Sequence, residues 1–438
     1  MRRFDWIRIG RIRGEEKMSI NRREFIRTSF SAGLVGPGLL TSQISNAREK
    51  TDIDDNVLRE AANAPVLHLE SVTSPVIIES IELLKSGSFF LVRSRSKDGA
   101  VGLSMPNEKI KIIYPILLRQ VIPFFIGKDA RDLENLLDGV YVHESNYKMQ
   151  GLPFWCCVAC VELSILDLLG KTAKKHVSAF FGKRVREKVP IYVASGNRET
   201  TAEEEVKILQ KRIAETGARA IKFKVGGRMS RNRDSMPNRS EDLIELSRKV
   251  LGDSITIQAD SNGSFDVPRA IEIGKRLEAI QAYLFEEPCP FDDLDSTKKV
   301  ADALSIPISG GEQESSEYRF KWMIRHGVVQ IVQPDLHYYG GYVRATRVAR
   351  MAASANIPIT THISSGYTGF ADMINFFSFT PNMGKFQELK TGVEITGPLF
   401  DPPIKVKDGF LNIPTAPGLG MVHTKDLLER ATTVQEHL

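Results

Sequence analysis

The sequence predicts an α/β protein in which a closed parallel β/α barrel follows a smaller α+β domain. Three observations carry this. From residue 187 onward, eight short apolar runs alternate with helical stretches. Near the ends of seven successive runs stand ionisable residues, spaced from Asp260 onward by 26, 26, 23, 27 and 26 positions, about one β/α unit each. Before residue 187 that alternation is missing, and β-type runs are followed by helical patterns.

Residues 1–47 read as an export signal with an upstream extension. The stretch NRREFIRTSFSAGLVGPGLL has paired Arg22 and Arg23, then Phe25, then a modest apolar run rich in Gly and Ala. The polar TSQISNA follows and ends in small residues. This is the layout of a twin-arginine signal, an address read by a receptor, and it implies a periplasmic protein. A basic amphipathic helix is the alternative. The run is too short and too Gly-rich for stable membrane insertion. Met18 is a second candidate start, and the mature chain is expected to begin near Arg48.

Residues 48–65 read as a polar leader, 66–186 as the α+β domain, 187–390 as the barrel, and 391–438 as a C-terminal segment packing back on the first domain. Within the first domain, PVIIESIELLKSG and SFFLVRSRSKDGAVGLS predict a hairpin, with KSG between its arms and KDG inside the second. Helical patterns follow in EKIKIIYPILLRQVIPFFIG, interrupted at Pro115, and in ARDLENLLDGVYVH. The cluster CCVAC then runs into VELSILDLLGK, which has helical spacing. No second C-x-x-C and no His pair completes a zinc site there, so Cys156, Cys157 and Cys160 read as small buried residues. An oxidising compartment leaves a Cys157–Cys160 disulfide open. The 438 residues carry a net charge of only +5, much of it in the first 30, which does not point to nucleic acid.

The eight barrel runs are VPIYVASG, ARAIKFKVGG, SITIQADSNG, AYLFEEPCP, IPISGGEQE, VVQIVQPDLH, IPITTHISSG and KFQELKTG. In the second, Lys222 and Lys224 are two apart, so both ammonium groups share one face of the strand. Lysine is rarely buried unless paired. The remaining strand ends supply Asp260, Glu286, Glu312, Asp335, His362 and Glu388. Three adjacent carboxylates cannot all stay ionised in a barrel mouth without a cation. Hard oxygen donors suit Mg²⁺, with Mn²⁺ as the alternative. Asp335 beside His362 would fix the imidazole tautomer and raise its basicity. Glu388 is expected as a protonated acid, its pKa raised by neighbouring acids, donating to a developing oxyanion.

In order along the chain, KFK, DSNG, EEP, GGE, QPD and the His of THISSG resemble the enolase superfamily, mandelate racemase subgroup. The resemblance covers nearly all of the chain past residue 66. It implies a modified TIM barrel of (β/α)7β type with an N-terminal α+β capping domain. It also implies metal ligands at Asp260, Glu286 and Glu312, a Lys224 base and an Asp335–His362 dyad. Lys222 would neutralise the substrate carboxylate or assist Lys224. The loop GGRMSRNRDSMPNRSED, with Arg228, Arg231, Arg233 and Arg239, is longer than the subgroup usually has after this strand. It reads as a solvated loop or as a specificity loop for an anionic substrate.

The chemistry implied is removal of a proton α to a carboxylate through an enediolate, with Mg²⁺ as Lewis acid. Reprotonation on the other face gives racemisation. Loss of a β-hydroxyl, protonated by His362, gives dehydration of a sugar acid to a 2-keto-3-deoxy acid, and this lyase outcome is favoured. Cycloisomerases and dipeptide epimerases of the superfamily lack the dyad, which disfavours both. An exported, non-catalytic sugar-acid binding protein is the reading from another class. Plausible substrate contacts are Asn197, Asn262, His337 and Ser364, with lid loops in 86–108 and 139–153. Expected partners are a small-molecule carboxylate, the twin-arginine translocation machinery and further copies of this chain as a homo-oligomer.

Overall fold

The computed structural model describes residues 53–364, 366–390 and 397–435. The twin-arginine segment lies outside the described residues. The eight predicted barrel runs all fall on the barrel wall. They are β4 (Lys188–Ala194), β5 (Ala220–Lys224), β6 (Thr256–Asp260), β7 (Leu284–Glu286), β8 (Ile308–Gly310), β9 (Ile331–Val332), the bridged segment 359–362, and β10 (Gln387–Leu389). Neighbours from β4 to β9 pair in parallel. Single parallel bridges Val332–Ile359 and Ile359–Met383 carry the wall onward. The chain then enters β10, which pairs with β4 in parallel.

Among the described residues, seven helices alternate with these strands, from Ala202–Thr216 to Gly366–Phe379. The architecture is therefore (β/α)7β. The helix starts follow from local sequence. Thr201 and Glu204 form a reciprocal capping box, Asp266 and Asp293 cap the helices Val267–Ala279 and Leu294–Ala303, and Ser316 caps Glu317–Arg325. Each such cap is worth about 1 kcal/mol. Strand parity sorts the side chains. On β5, Ile221 and Phe223 join the large outer core, while Ala220 packs inside with Tyr192 and Ala194. Lys222 and Lys224 share the inward parity of Ala220.

The first domain holds an antiparallel sheet ordered β13 (Thr432–Thr433), β1 (Ile78–Ser86), β2 (Phe89–Ser96) and β3 (Val101–Ser104). The expected hairpin is thus a meander, because KDG turns the chain and splits its second arm into two strands. The helical run that follows is broken after Pro115 rather than at it: Ile110–Ile116 passes into a wider turn over Leu117–Val121. Pro115 has no N–H to close the preceding turn. The expected polar leader contains a helix, Asp55–Asn63, whose Leu58 and Ala62 are buried and whose Asp55 meets Lys321 at 2.9 Å. Further along the C-terminal segment, β12 (Phe410–Asn412) pairs with β11 (Val406–Lys407) and with β4, while β13 pairs with β1.

Helix Leu152–Ala173 is long and apolar enough to span a membrane, but it is buried from Phe154 to Gly170 and forms the core of the first domain. All four cysteines are free and buried. Two carboxylates on this helix bind other parts of the chain. Glu162 accepts the N–H groups of Tyr342 and Val343, both at 2.7 Å, at the start of the barrel helix Tyr342–Ser354. Gly341 permits this approach: a Cβ there would lie 1.2 Å from Glu162 Oε2. Asp167 accepts from Leu103 N at 2.8 Å and Leu419 N at 2.9 Å, and pairs with Lys171 at 2.6 Å.

Candidate active site

The inward face of β5 meets the ends of the next three strands. Asp260 ends β6, Glu286 ends β7, and Glu312 stands two residues beyond β8. One carboxylate oxygen from each lies within 4.8 Å of the others, and all three residues are buried. Glu286 Oε1 and Glu287 Oε1 are buried with no hydrogen-bond partner among the described residues. A hard divalent ion fits such a set, since every donor is a carboxylate oxygen and one buried oxygen is left free. Burial, reinforced by Asp260 and Glu312, pushes the Glu286 carboxyl up to about 7 despite Lys222. Burial also raises Glu287, with Glu312 and Asp260 adding to it.

Two proton carriers flank this triad. Lys224 Nζ hydrogen-bonds to Asp260 Oδ2. On the far flank, His362 Nε2 lies 3.3 Å from Glu312 Oε2, and His362 Nδ1 bonds to Asp335 Oδ2 at 2.9 Å. Asp335 Oδ1 accepts the backbone N–H groups of His337 and Tyr338 at 2.8 and 2.9 Å, which fixes the carboxylate and with it the ring. Burial opposes protonation of His362, but Glu312 and Asp335 outweigh it despite Lys390, and the imidazole pKa is raised.

Lys222 sits deeper than Lys224. Its Nζ lies 2.7 Å from Glu286 Oε2, 3.0 Å from Glu388 Oε1 and 4.0 Å from Asp260 Oδ2, above the Tyr192 ring. Burial opposes its charge, but Glu286 and Glu388 outweigh it and hold its pKa well above the ordinary lysine value. Glu388 corrects the expectation of a protonated donor. Burial favours its neutral form, yet Lys222 and Lys390 hold its pKa well below the ordinary range. It is a carboxylate clamped between two ammonium groups.

The four candidate substrate contacts separate. Asn262 belongs to the site: Nδ2 lies 3.3 Å from Asp260 Oδ2, and Oδ1 accepts from Arg198 at 2.6 Å. Ser364 receives Asn107 Nδ2 at 2.6 Å, so a loop of the first domain reaches the rim. His337 is held by the outer layer on at least one ring nitrogen. It is buried and bonds to Asp372 at 2.7 Å, on the outer helix Gly366–Phe379. Asn197 likewise turns outward, to Glu205 at 3.1 Å on Ala202–Thr216. Of the Arg-rich loop, Arg228, Arg231 and Arg233 are exposed, whereas Arg239 is buried and donates to the carbonyls of Lys224, Thr200 and Asn197.

Sequence reasoning missed several site residues. Gln333 donates to Glu286 Oε2 at 2.8 Å, and Lys390 reaches His362 Nε2 at 3.1 Å. Both stand two positions from a residue already singled out, Asp335 and Glu388, so strand parity could have found them. Arg198 lies on a loop and carried no such signal.

The Enolase C-terminal domain-like family matches residues 204–427. An arabinonate dehydratase from Saccharolobus solfataricus is 27% identical over 311 residues, 71% of this chain and 79% of that protein. A 3,6-anhydro-alpha-L-galactonate cycloisomerase from Streptomyces coelicolor is 26% identical, over 76% of this chain and 88% of its own. A mandelate racemase/muconate lactonizing protein from Paracoccus denitrificans, crystallised with magnesium, superposes with a TM-score of 0.75 at 26% identity, covering 82% of this chain and 99% of that one. The chain belongs to the enolase superfamily, in its mandelate racemase subgroup, and is an enzyme.

Proposed function

We propose that this enzyme is a hydro-lyase that removes the α-proton of a sugar acid and expels its β-hydroxyl, yielding a 2-keto-3-deoxy acid. One observation supports this above the rest: Lys224 and His362 stand on opposite flanks of the carboxylate triad, against Asp260 and Glu312 respectively. Asp260, Glu286 and Glu312 would hold Mg²⁺ or Mn²⁺. Bound there, the ion would offset the negative charge that builds on the substrate carboxylate.

The chain's own groups divide the proton work. Lys224 takes the α-proton, the C–H electron pair is held on the substrate carboxylate as an enediolate, and that pair then becomes the Cα–Cβ double bond. The Cβ–O pair leaves on oxygen, His362 Nε2 supplies the proton that completes a water molecule, and the enol tautomerises to the keto acid. Asp335 keeps the ring oriented throughout. Lys222, enclosed by carboxylates, stays charged and serves as a fixed counter-ion rather than a base. Racemisation remains the second reading, because two opposed proton carriers are also what inversion requires.

The test is a panel of aldonic and aldaric acids with Mg²⁺, followed as 2-keto acid formation and as α-deuterium exchange. Lys224→Ala is expected to lose exchange, and His362→Asn to lose elimination while keeping exchange. Exchange retained in both variants would refute this division of roles. Inverted starting acid in place of keto acid would establish racemisation. The proposal extends to export through the twin-arginine route and to a homo-oligomeric enzyme in the periplasm.

A further inference from the structure

We propose that Lys390 is a further substrate-contacting residue, which donates to the same oxygen that His362 acts on. The inference rests on the sugar-acid reading of the site. His362 has two ring nitrogens, and Asp335 occupies Nδ1 at 2.9 Å. Nε2 alone is left to meet a substrate, and Lys390 Nζ stands 3.1 Å from it. An oxygen that comes within hydrogen-bond distance of Nε2 therefore also comes within reach of this ammonium group.

Strand geometry places the group. Glu388 lies on β10 and Lys390 two residues later, one step past the strand end, so both project toward the barrel axis. An ammonium has three N–H donors. The Lys390 ammonium lies 3.0 Å from Glu388 Oε2, donates to the carbonyl of Ile363 and stands 3.1 Å from His362 Nε2, which accepts from it while the ring is neutral. The first two acceptors belong to the wall and hold the ammonium in place. The third is the nitrogen that a substrate must engage, so the N–H aimed at it is the one an arriving oxygen takes over.

Exposure separates the three lysines. The side chain of Lys222 is 1% exposed and that of Lys224 9%, whereas that of Lys390 is 37% exposed. Lys222 is spent on internal carboxylates. Lys390 is the open one, on a flank otherwise lined by Glu312, Asp335 and Glu388. A polyhydroxy carboxylate approaching those three anions needs a cationic donor there. During elimination, the Cβ–O electron pair moves onto the departing oxygen. A hydrogen bond from Lys390 stabilises that growing charge while His362 delivers the proton that makes it water.

The alternative is that Lys390 only pins the wall through Glu388 and Ile363. The Mg²⁺-loaded full chain separates the two. Binding of D-gluconate, D-galactonate and D-arabinonate is measured by calorimetry, and the ratio of elimination to α-deuterium exchange is measured by NMR. Lys390→Met is expected to weaken binding of the best of these acids about tenfold or more, as loss of a charge-assisted hydrogen bond implies. It should lower the elimination-to-exchange ratio as well, because exchange depends on Lys224 across the site. Lys390→Arg should recover part of both. If Lys390→Met lowers the thermal midpoint, Lys390→Gln, which keeps an uncharged donor, carries the same comparison. Wild-type turnover with binding and ratio unchanged in the variants overturns the role of Lys390 and leaves the dehydratase reading standing. A wild-type protein that neither binds nor converts any of the acids overturns both.

Discussion

Replacing Lys222 with Met is expected to cost the metal-free protein far more stability than replacing Lys224, although the two stand two residues apart on β5. Lys222 is 1% exposed and serves two carboxylates within 3.0 Å and a third at 4.0 Å. Removing one partner of a buried ion pair costs about 3–5 kcal/mol, because the charge left behind is neither hydrated nor paired. Lys222→Met should fall in that range. Among the described residues the Lys224 ammonium is bound to Asp260 alone, and Asp260 keeps the N–H of Asn262 at 2.8 Å and Lys222 at 4.0 Å. Its loss should cost about 1–2 kcal/mol. Urea unfolding in the presence of a chelator, near pH 8, is the assay. Lys222 is the main group holding the Glu286 carboxyl down to about 7, so its removal pushes that carboxyl higher, and the loss should deepen as pH rises and proton uptake there ceases to relieve it. Added Mg²⁺ should narrow the gap between the variants, since it neutralises the same carboxylates. Activity should rank differently, with Lys224→Met losing α-proton exchange despite its milder effect on stability. Equal destabilisation by the two substitutions, or a larger loss from Lys224→Met, would refute the assignment of Lys222 as counter-ion.

Three further outcomes are expected. Magnesium at about a hundredfold excess over its Kd should add about 2.7 kcal/mol to the unfolding free energy, and Glu312→Gln should abolish most of that gain; full stabilisation of the variant would remove Glu312 from the ligand set. His176 is held neutral, accepting from Ser178 N at 3.2 Å while Nε2 faces Asn375 Oδ1 at 3.1 Å, and burial pushes its pKa down to about 4. The unfolded chain therefore binds the extra proton between about pH 6.5 and 4, so His176 should cost about 3 kcal/mol of stability as pH falls through that window and nothing above it; a His176→Gln variant with the same pH slope as wild type would contradict this. Exchanging Arg22 and Arg23 for Lys should retain the protein in the cytoplasm on fractionation, and a periplasmic double variant would show that the segment is not a twin-arginine signal.

The parts of the site that were legible are those governed by a period. A β/α unit of about 26 residues puts each strand end in register with the next, which is why Asp260, Glu286, Glu312, Asp335, His362 and Glu388 could be picked out one by one. Parity within a strand does the same for Lys222 and Lys224. Both rules stop where the strand stops. His337 lies two positions past Asp335, but the chain there is already turning toward Gly340 and Gly341, and Nε2 bonds to Asp372 on a helix. Asn197 fails in the same way after β4. The charge state of Glu388 escapes the sequence for another reason: several strand ends of the ring carry acids, but its nearest contacts are Lys222 and Lys390, and contact distance decides the balance. The docking of Glu162 against the barrel was beyond sequence, because it depends on how two remote helices meet.

That docking bears on how the molecule can be divided. The barrel helix Tyr342–Ser354 has no side-chain cap of its own, since Gly341 occupies its N-cap position. Its first N–H groups are satisfied by Glu162, from a helix 180 residues earlier in the chain. Asp167, one and a half turns along, is shared between β3 and the loop at Leu419. A barrel expressed from residue 187 onward would therefore keep its strand-end acids but leave buried donors at Tyr342, Val343 and Leu419 without acceptors. The catalytic half should not be separable as a fragment. Cap, barrel and C-terminal segment are expected to melt in one transition, and a split protein should regain a native spectrum only when both pieces are mixed.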